Sequence, residues 1–147
     1  MTRKIIIALF ILLTTTNVIA RTYGPYDANV VSVIDGDTVI IDVMVWPQQL
    51  VRTALRIKGV DTPEKRTKSA CEKELGLAAM QFTKEFLAVA YQNVESVMVY
   101  DIEIGSFAGR VVGGLMANGV DLGTLLLSNG HAREYRRNNH DLWCEDV

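Results

Sequence analysis

Two short acidic clusters stand where β-rich runs end, Asp35-Gly36-Asp37-Thr38 and Asp61-Thr62-Pro63-Glu64. Carboxylates are costly in a protein interior unless they are paired or hold a metal ion. Taken singly, the first cluster reads as a turn and the second as a strand-to-loop exit. Taken together, they offer the carboxylate and carbonyl oxygens that a hard cation such as calcium prefers. With two histidines and two cysteines in the chain, the scarcity of both argues against zinc or copper. Arg56 lies in an otherwise apolar run five residues before Asp61, and Arg110 follows Gly109 at the start of another. Either arginine could be an ordinary solvated strand residue. Guanidinium groups also present parallel N–H donors to phosphate oxygens and stabilise charge that develops there. Acids beside arginines suit phosphodiester hydrolysis: a carboxylate positions a water or takes its proton, and cations offset the repulsion between nucleophile and phosphate.

The chain that must position these groups has 147 residues and a net charge of -2, which predicts one domain. That charge excludes a strongly basic nucleic-acid-binding module. It leaves open an enzyme that meets phosphodiesters with a metal ion and a few placed arginines. Hydrophobic residues make up 49%, so disorder is not expected. The first twenty residues read as a separate object. Arg3 and Lys4 precede an apolar run, Ile5 to Leu13, and Val18-Ile19-Ala20 offers a small-residue cleavage site. This is the pattern of a secretory signal peptide; the run is too short to span a membrane. An uncleaved N-terminal anchor is the alternative. Cleavage after Ala20 removes two bases and no acid, which takes the net charge from -2 to -4 and leaves one domain over residues 21–147. Export implies a secreted or periplasmic location without stable membrane association after cleavage, and the domain is expected to be a monomer.

Along that domain, Arg21 to Ala28 reads as an irregular lead-in. Val30 to Val33 and Thr38 to Val45 flank the Asp-Gly turn as a hairpin, and Leu50 to Val60 reads as a third strand. Over Thr67 to Ala90 the period changes: Leu75, Ala79, Phe82 and Phe86 recur on one helical face. Ser69 and Glu72 form a capping-box signature at the helix start. Strands follow around Val97 to Tyr100 and Gly109 to Met116. A short helix runs from Asp121 as N-cap to a stop at Asn129-Gly130. The order β-β-β-α-β-β-α predicts an α+β fold, and a five-stranded Greek-key barrel of the OB type fits the count.

With these residues assembled, the chain resembles the staphylococcal nuclease (thermonuclease) family. The resemblance rests on Val33 to Val39 around Asp-Gly-Asp-Thr, on Arg56 through Glu64, and on Gly109-Arg110, in that order around the long helix. Asn118-Gly119 and Gly130-His131-Ala132-Arg133 match the family's C-terminal half. The two-cysteine exported form is similar to its secreted bacterial branch. The resemblance implies a barrel with about three helices and hydrolysis of DNA or RNA that leaves 3′-phosphate ends. It implies Ca2+ held by Asp37, Asp61 and the Thr62 carbonyl, with Asp35 as an outer carboxylate. It implies Glu64 as general base and Arg56 and Arg110 as the phosphate clamp. Ser106-Phe107-Ala108 departs from the family, which often carries an acid and a tyrosine there. Tyr135 and Arg136 lie near another substrate-contacting tyrosine of the family.

The rival reading is a binding module, the same barrel holding nucleic acid or protein without cutting it. The presence of Asp37, Arg56, Asp61, Glu64 and Arg110 together favours the enzyme. Cys71 and Cys144 are expected to pair in an oxidising compartment. That bridge would hold the polar tail while leaving the barrel independent of it. Lys65, Arg66 and Lys68 read as a solvated loop that could track a phosphate backbone. His131 and His140 read as surface residues without a part in catalysis.

Overall fold

The computed structural model describes residues 21–93, 97–137 and 142–144. The expected signal segment at 1–20, and His140, lie outside the described residues. Three strands come first: β1 (Tyr26–Asp35), β2 (Thr38–Trp46) and β3 (Gln49–Ile57). A short β4 (Val60–Asp61) leads to the long helix α1 (Ala70–Asn93). Then follow β5 (Val97–Ile104), β6 (Arg110–Ala117), β7 (Val120–Asp121), α2 (Leu122–Ser128) and β8 (Arg133–Glu134). The sheet order is β3-β2-β1-β5-β6-β7, and a parallel pairing of β3 with β6 closes five strands into a barrel. This is the expected α+β barrel, with two helices among the described residues. None of these helices is long and apolar enough to cross a membrane.

Strand alternation fills the barrel. Val39, Ile41 and Val43 on β2, Leu55 and Ile57 on β3, Val97 and Val99 on β5, and Leu115 and Ala117 on β6 are all buried at period two. Leu122 and Leu126 of α2 close one side, and Leu87 of α1 joins them with Phe82 and Phe86 against the same cluster. Each large side chain fully buried there contributes about 1.5–3 kcal/mol relative to exposure.

Three expectations need correction. The lead-in is not irregular throughout: Tyr23 exchanges both backbone bonds with Ile102, and β1 begins at Tyr26, whose first three residues pair with Val97–Val99. Leu75 is exposed rather than on the packed face of α1; Gly76, Ala79, Thr83 and Leu87 are buried instead. The reason is that the first half of α1 packs against backbone, where small residues fit, and not against the apolar core. A Cβ on Gly36 would lie 2.8 Å from the Ala79 Cβ, and the buried Thr83 hydroxyl donates to the Gly36 carbonyl at 2.7 Å. Finally, the capping box is half formed. Ser69 Oγ accepts from the Glu72 amide at 3.3 Å, but the Glu72 carboxylate turns away from the helix.

Asp121 ties the second half of the fold together. One carboxylate oxygen caps α2 by accepting from the Thr124 amide at 2.7 Å, and the other accepts from the Tyr100 hydroxyl at 2.7 Å. This bond, with burial and the carboxylate charge behind it, pushes the Tyr100 phenol from 10.0 up to about 12. A folded-state pKa above the unfolded one gives stability that is fully present below pH 10 and is lost as pH rises through about 12. Tyr100→Phe should therefore lower unfolding stability by about 1 kcal/mol at neutral pH. It should also remove part of the wild-type loss between pH 10 and 12, as urea titrations at pH 8 and pH 11 will read.

Candidate active site

The Asp35-Gly36-Asp37 turn brings β1 back as β2, with Asp35 paired to Thr38. Its conformation is set by what lies under it. Gly36 sits against Ala79 of α1 and against the Thr62 methyl, so the turn, the helix and the second acidic cluster meet at one point. Asp37 follows, only 2% exposed. Its carbonyl accepts from the Ile57 amide at 2.8 Å. Its carboxylate accepts from the Thr38 hydroxyl at 2.8 Å and from the Thr62 amide at 3.3 Å.

Arg56 supplies the countercharge. Antiparallel register pairs Thr38 with Arg56, which places the guanidinium beside Asp37. It reaches Asp37 at 3.1 Å and Asp61 at 3.0 Å, so one cationic group bridges a carboxylate of the β1–β2 turn and one of β4. Arg56 is thus not the outward strand arginine of the plainer reading. Burial pushes the Asp37 carboxyl above its ordinary value, and Arg56, the Thr38 hydroxyl and the Thr62 amide pull it back only in part.

Closure of the barrel brings in the second arginine. The parallel register pairs Ala54 with Arg110 and Arg56 with Val112, making Arg56 and Arg110 diagonal neighbours on adjacent strands. Both line a cavity of about 280 Å³ with Asp35, Asp37, Thr62 and Glu64. The Arg110 guanidinium lies 4.5 Å over the Phe107 ring. Its Nε is buried without a hydrogen-bond partner. Glu64 is exposed as a residue, yet its carboxyl faces this cavity and is raised above its ordinary value. Desolvation is the main cause, followed by repulsion from Asp35 and Asp37 that Arg56 only partly offsets.

All six residues singled out from the sequence therefore meet: Asp37, Arg56, Asp61, Thr62, Glu64 and Arg110. Sequence reasoning gave no role to Arg133. The β4–β8 pairing sets Asp61 against Arg133, whose Nε lies 3.6 Å from the Asp61 carboxylate. Only the pairing, not the motif, shows this contact. Tyr135 now has a register: its amide donates to the Gly59 carbonyl, and its ring lies 6.0 Å from the Arg56 guanidinium. Tyr135, Arg137, Phe107 and both arginines line a larger groove of about 530 Å³ that shares Glu64 with the cavity. Arg136 points elsewhere, near Glu134 at 3.9 Å.

Two further expectations change. Lys65 is not a solvated loop residue; its ammonium bonds the Ile34 carbonyl and pairs with Asp35 at 3.3 Å, while Arg66 and Lys68 are exposed as expected. His131 is half-buried, its ring 4.4 Å from that of Phe82, and it does not line the cavity. Cys71 and Cys144 form a disulfide, with Cys71 in the first turn of α1 as expected.

The donor set fits a hard divalent cation. It consists of oxygen alone, and its two carboxylates already share a positive group, the Arg56 guanidinium. Among the described residues no three acidic, histidine or cysteine side chains gather as a metal cluster; the donor set expected from the sequence has two carboxylates, Asp37 and Asp61, and takes its third oxygen from the Thr62 backbone.

A family model described as staphylococcal nuclease homologue matches residues 54–144. The match takes in Arg56, Asp61, Thr62, Glu64 and Arg110; the turn bearing Asp37 precedes it and joins the site through the pairings above. No curated protein matches the chain.

The acidic loop holds its place because α1 allows close approach at Gly76. A Cβ there would lie 2.6 Å from the Lys65 nitrogen, 2.7 Å from the Pro63 oxygen and 2.8 Å from the Glu64 carbonyl carbon. These are backbone atoms and cannot swing aside. Gly76→Ala should therefore cost about 1–3 kcal/mol by overpacking, although alanine is the better helix former. A denaturant midpoint equal to or above that of the wild type would contradict this packing.

Proposed function

The chain belongs to the staphylococcal nuclease homologue family, and from that premise we propose that it is an exported, calcium-dependent nuclease. It hydrolyses phosphodiester bonds of DNA or RNA and leaves 3′-phosphate ends. The observation that carries this reading is the shared cavity, where Arg56, Arg110 and Glu64 line one space beside the buried Asp37. Two guanidiniums on adjacent strands can take two oxygens of one phosphate. The buried, unpartnered Arg110 Nε supplies a donor for an anion. Opposite them, Glu64 orients a water and accepts its proton; a carboxyl raised above its ordinary value is a better base than a free one.

Asp37, Asp61 and the Thr62 carbonyl would hold the calcium ion. Bound there, the ion supplies positive charge to a phosphate gaining negative charge in the transition state. Asp35, neutralised in part by Lys65, stands behind as an outer carboxylate. Substrate must be drawn in by local positive charge, since the chain as a whole is acidic. Arg133 and Arg137 extend that local charge beyond the clamp. Export through residues 1–20 is supported by the Cys71–Cys144 bridge, since disulfides persist in oxidising compartments.

The test is incubation of the protein with plasmid and single-stranded DNA, with calcium or with chelator. Calcium-dependent cutting that zinc does not restore is the expected result; undiminished cutting in chelator would sink the metal assignment. Glu64→Gln should lower turnover by about 100-fold or more, since general-base catalysis contributes that much, with the unfolding midpoint little changed. Arg56→Lys and Arg110→Lys should also be severe, because an ammonium cannot reproduce a two-pronged phosphate contact. Near-normal rates across all three variants would move the chemistry to other residues, and a wild-type protein that binds DNA without cutting it would favour the binding module.

A further inference from the structure

We propose that Glu72, on the first turn of α1, is the positioning residue for Glu64, acting through the backbone on which that base is carried. The inference rests on the nuclease reading above and deepens it. An acid in the first turn of a helix has an ordinary explanation in the helix dipole, and the sequence pattern predicts a capping box. The carboxylate does not close that box, and the dipole alone does not account for its partners. Its Oε1 accepts from the backbone amide of Glu64 at 3.2 Å, and its Oε2 accepts from the Thr67 hydroxyl at 3.0 Å. Both contacts reach across to the loop that carries the site.

These bonds belong to a closed circuit. The Glu72 amide donates to the Ser69 hydroxyl oxygen at 3.3 Å, and the Ser69 amide donates to the Thr67 hydroxyl oxygen at 3.3 Å. The Thr67 hydroxyl then returns to the Glu72 carboxylate. The circuit fixes the chain from Glu64 to the start of α1 as one piece. One turn along, the bare Gly76 lets that piece lie directly on the helix. Next to Glu72, Cys71 is bonded covalently to Cys144. The anchor of Glu64 is thus an element that is itself tied down. Glu64 lines the cavity where the reacting groups would lie, whereas Glu72 meets Glu64 only through its backbone amide, and a base displaced by about 1 Å can lose roughly 100-fold in rate.

The experiment is a two-by-two cycle of Glu72→Ala and Glu64→Gln in the disulfide-bonded protein, read as single-turnover and steady-state cleavage of single-stranded DNA. Glu72→Ala should lower kcat by about 100-fold, with KM and calorimetric calcium affinity close to wild type. Glu72→Gln should recover most of the rate, because its amide oxygen still accepts from Glu64. In the Glu64→Gln background, Glu72→Ala should change the remaining rate little, since residues acting as one unit are not additive. Hydrogen exchange at the Glu64 amide supplies a readout free of catalysis: slow in the wild type, faster in Glu72→Ala. Normal kcat in Glu72→Ala, an equal loss in both backgrounds, a loss confined to KM or calcium affinity, or unchanged Glu64 exchange would each overturn the assignment. A wild-type protein that does not cut would instead overturn the nuclease reading itself.

Discussion

The structure turns on the burial of one carboxylate. Asp37 is almost without solvent, and desolvation outweighs everything that pulls its pKa back down. A group in that position costs stability unless its neighbours answer it. Three neighbours do: the Thr38 hydroxyl, the Thr62 amide and the Arg56 guanidinium each reach it from a different segment. These contacts fix where the second acidic cluster must lie. They also fix the guanidinium of Arg56 at the cavity wall. Burying the acid is what draws these segments to one point, and an arrangement that opposes stability locally is what a functional site is expected to show.

Around that acid, two packing devices do the positioning. The first is barrel closure: β3 and β6 are far apart in sequence, yet their parallel pairing sets the two arginines side by side. The second is the small-residue face of α1. Gly76, Ala79 and Thr83 let the helix backbone approach the Asp35–Asp37 turn and the Asp61–Lys65 loop more closely than leucines would. The apolar stripe of the same helix begins only with Phe82, Phe86 and Leu87. One helix therefore serves the site with its first half and the core with its second.

This division explains what the sequence could and could not reveal. The strands, the turn at Gly36, the N-cap at Asp121 and the stop at Gly130 were legible, because each depends on residues within a few positions of one another. The six candidate site residues are legible as types in order. Leu75 was misplaced because periodicity assumes that a helix buries its largest apolar residues, and here glycine faces inward instead. Lys65 looks solvated in the sequence because its partners, Ile34 and Asp35, lie about thirty residues upstream. Arg133 was missed for the same reason: its contact with Asp61 exists only through the β4–β8 pairing. Charge in a motif is visible in one dimension, whereas its compensation is not.

The tail shows the same principle at longer range. A polar tail pinned by a disulfide would be indifferent to the barrel if the bridge were its sole contact. Trp143, next to Cys144, instead lies against Arg133, with the guanidinium 4.1 Å from its ring. Arg133 in turn faces Asp61. On the other side of the bridge, Cys71 adjoins Glu72, which holds the Glu64 amide. The single covalent link between helix and tail thus sits between two short paths, one ending at an acid proposed to hold the metal and the other at the acid proposed to act as base. The barrel core contains neither cysteine, whereas the bridge adjoins residues that contact both acids, so the fold and the site stand in different relations to the same bond.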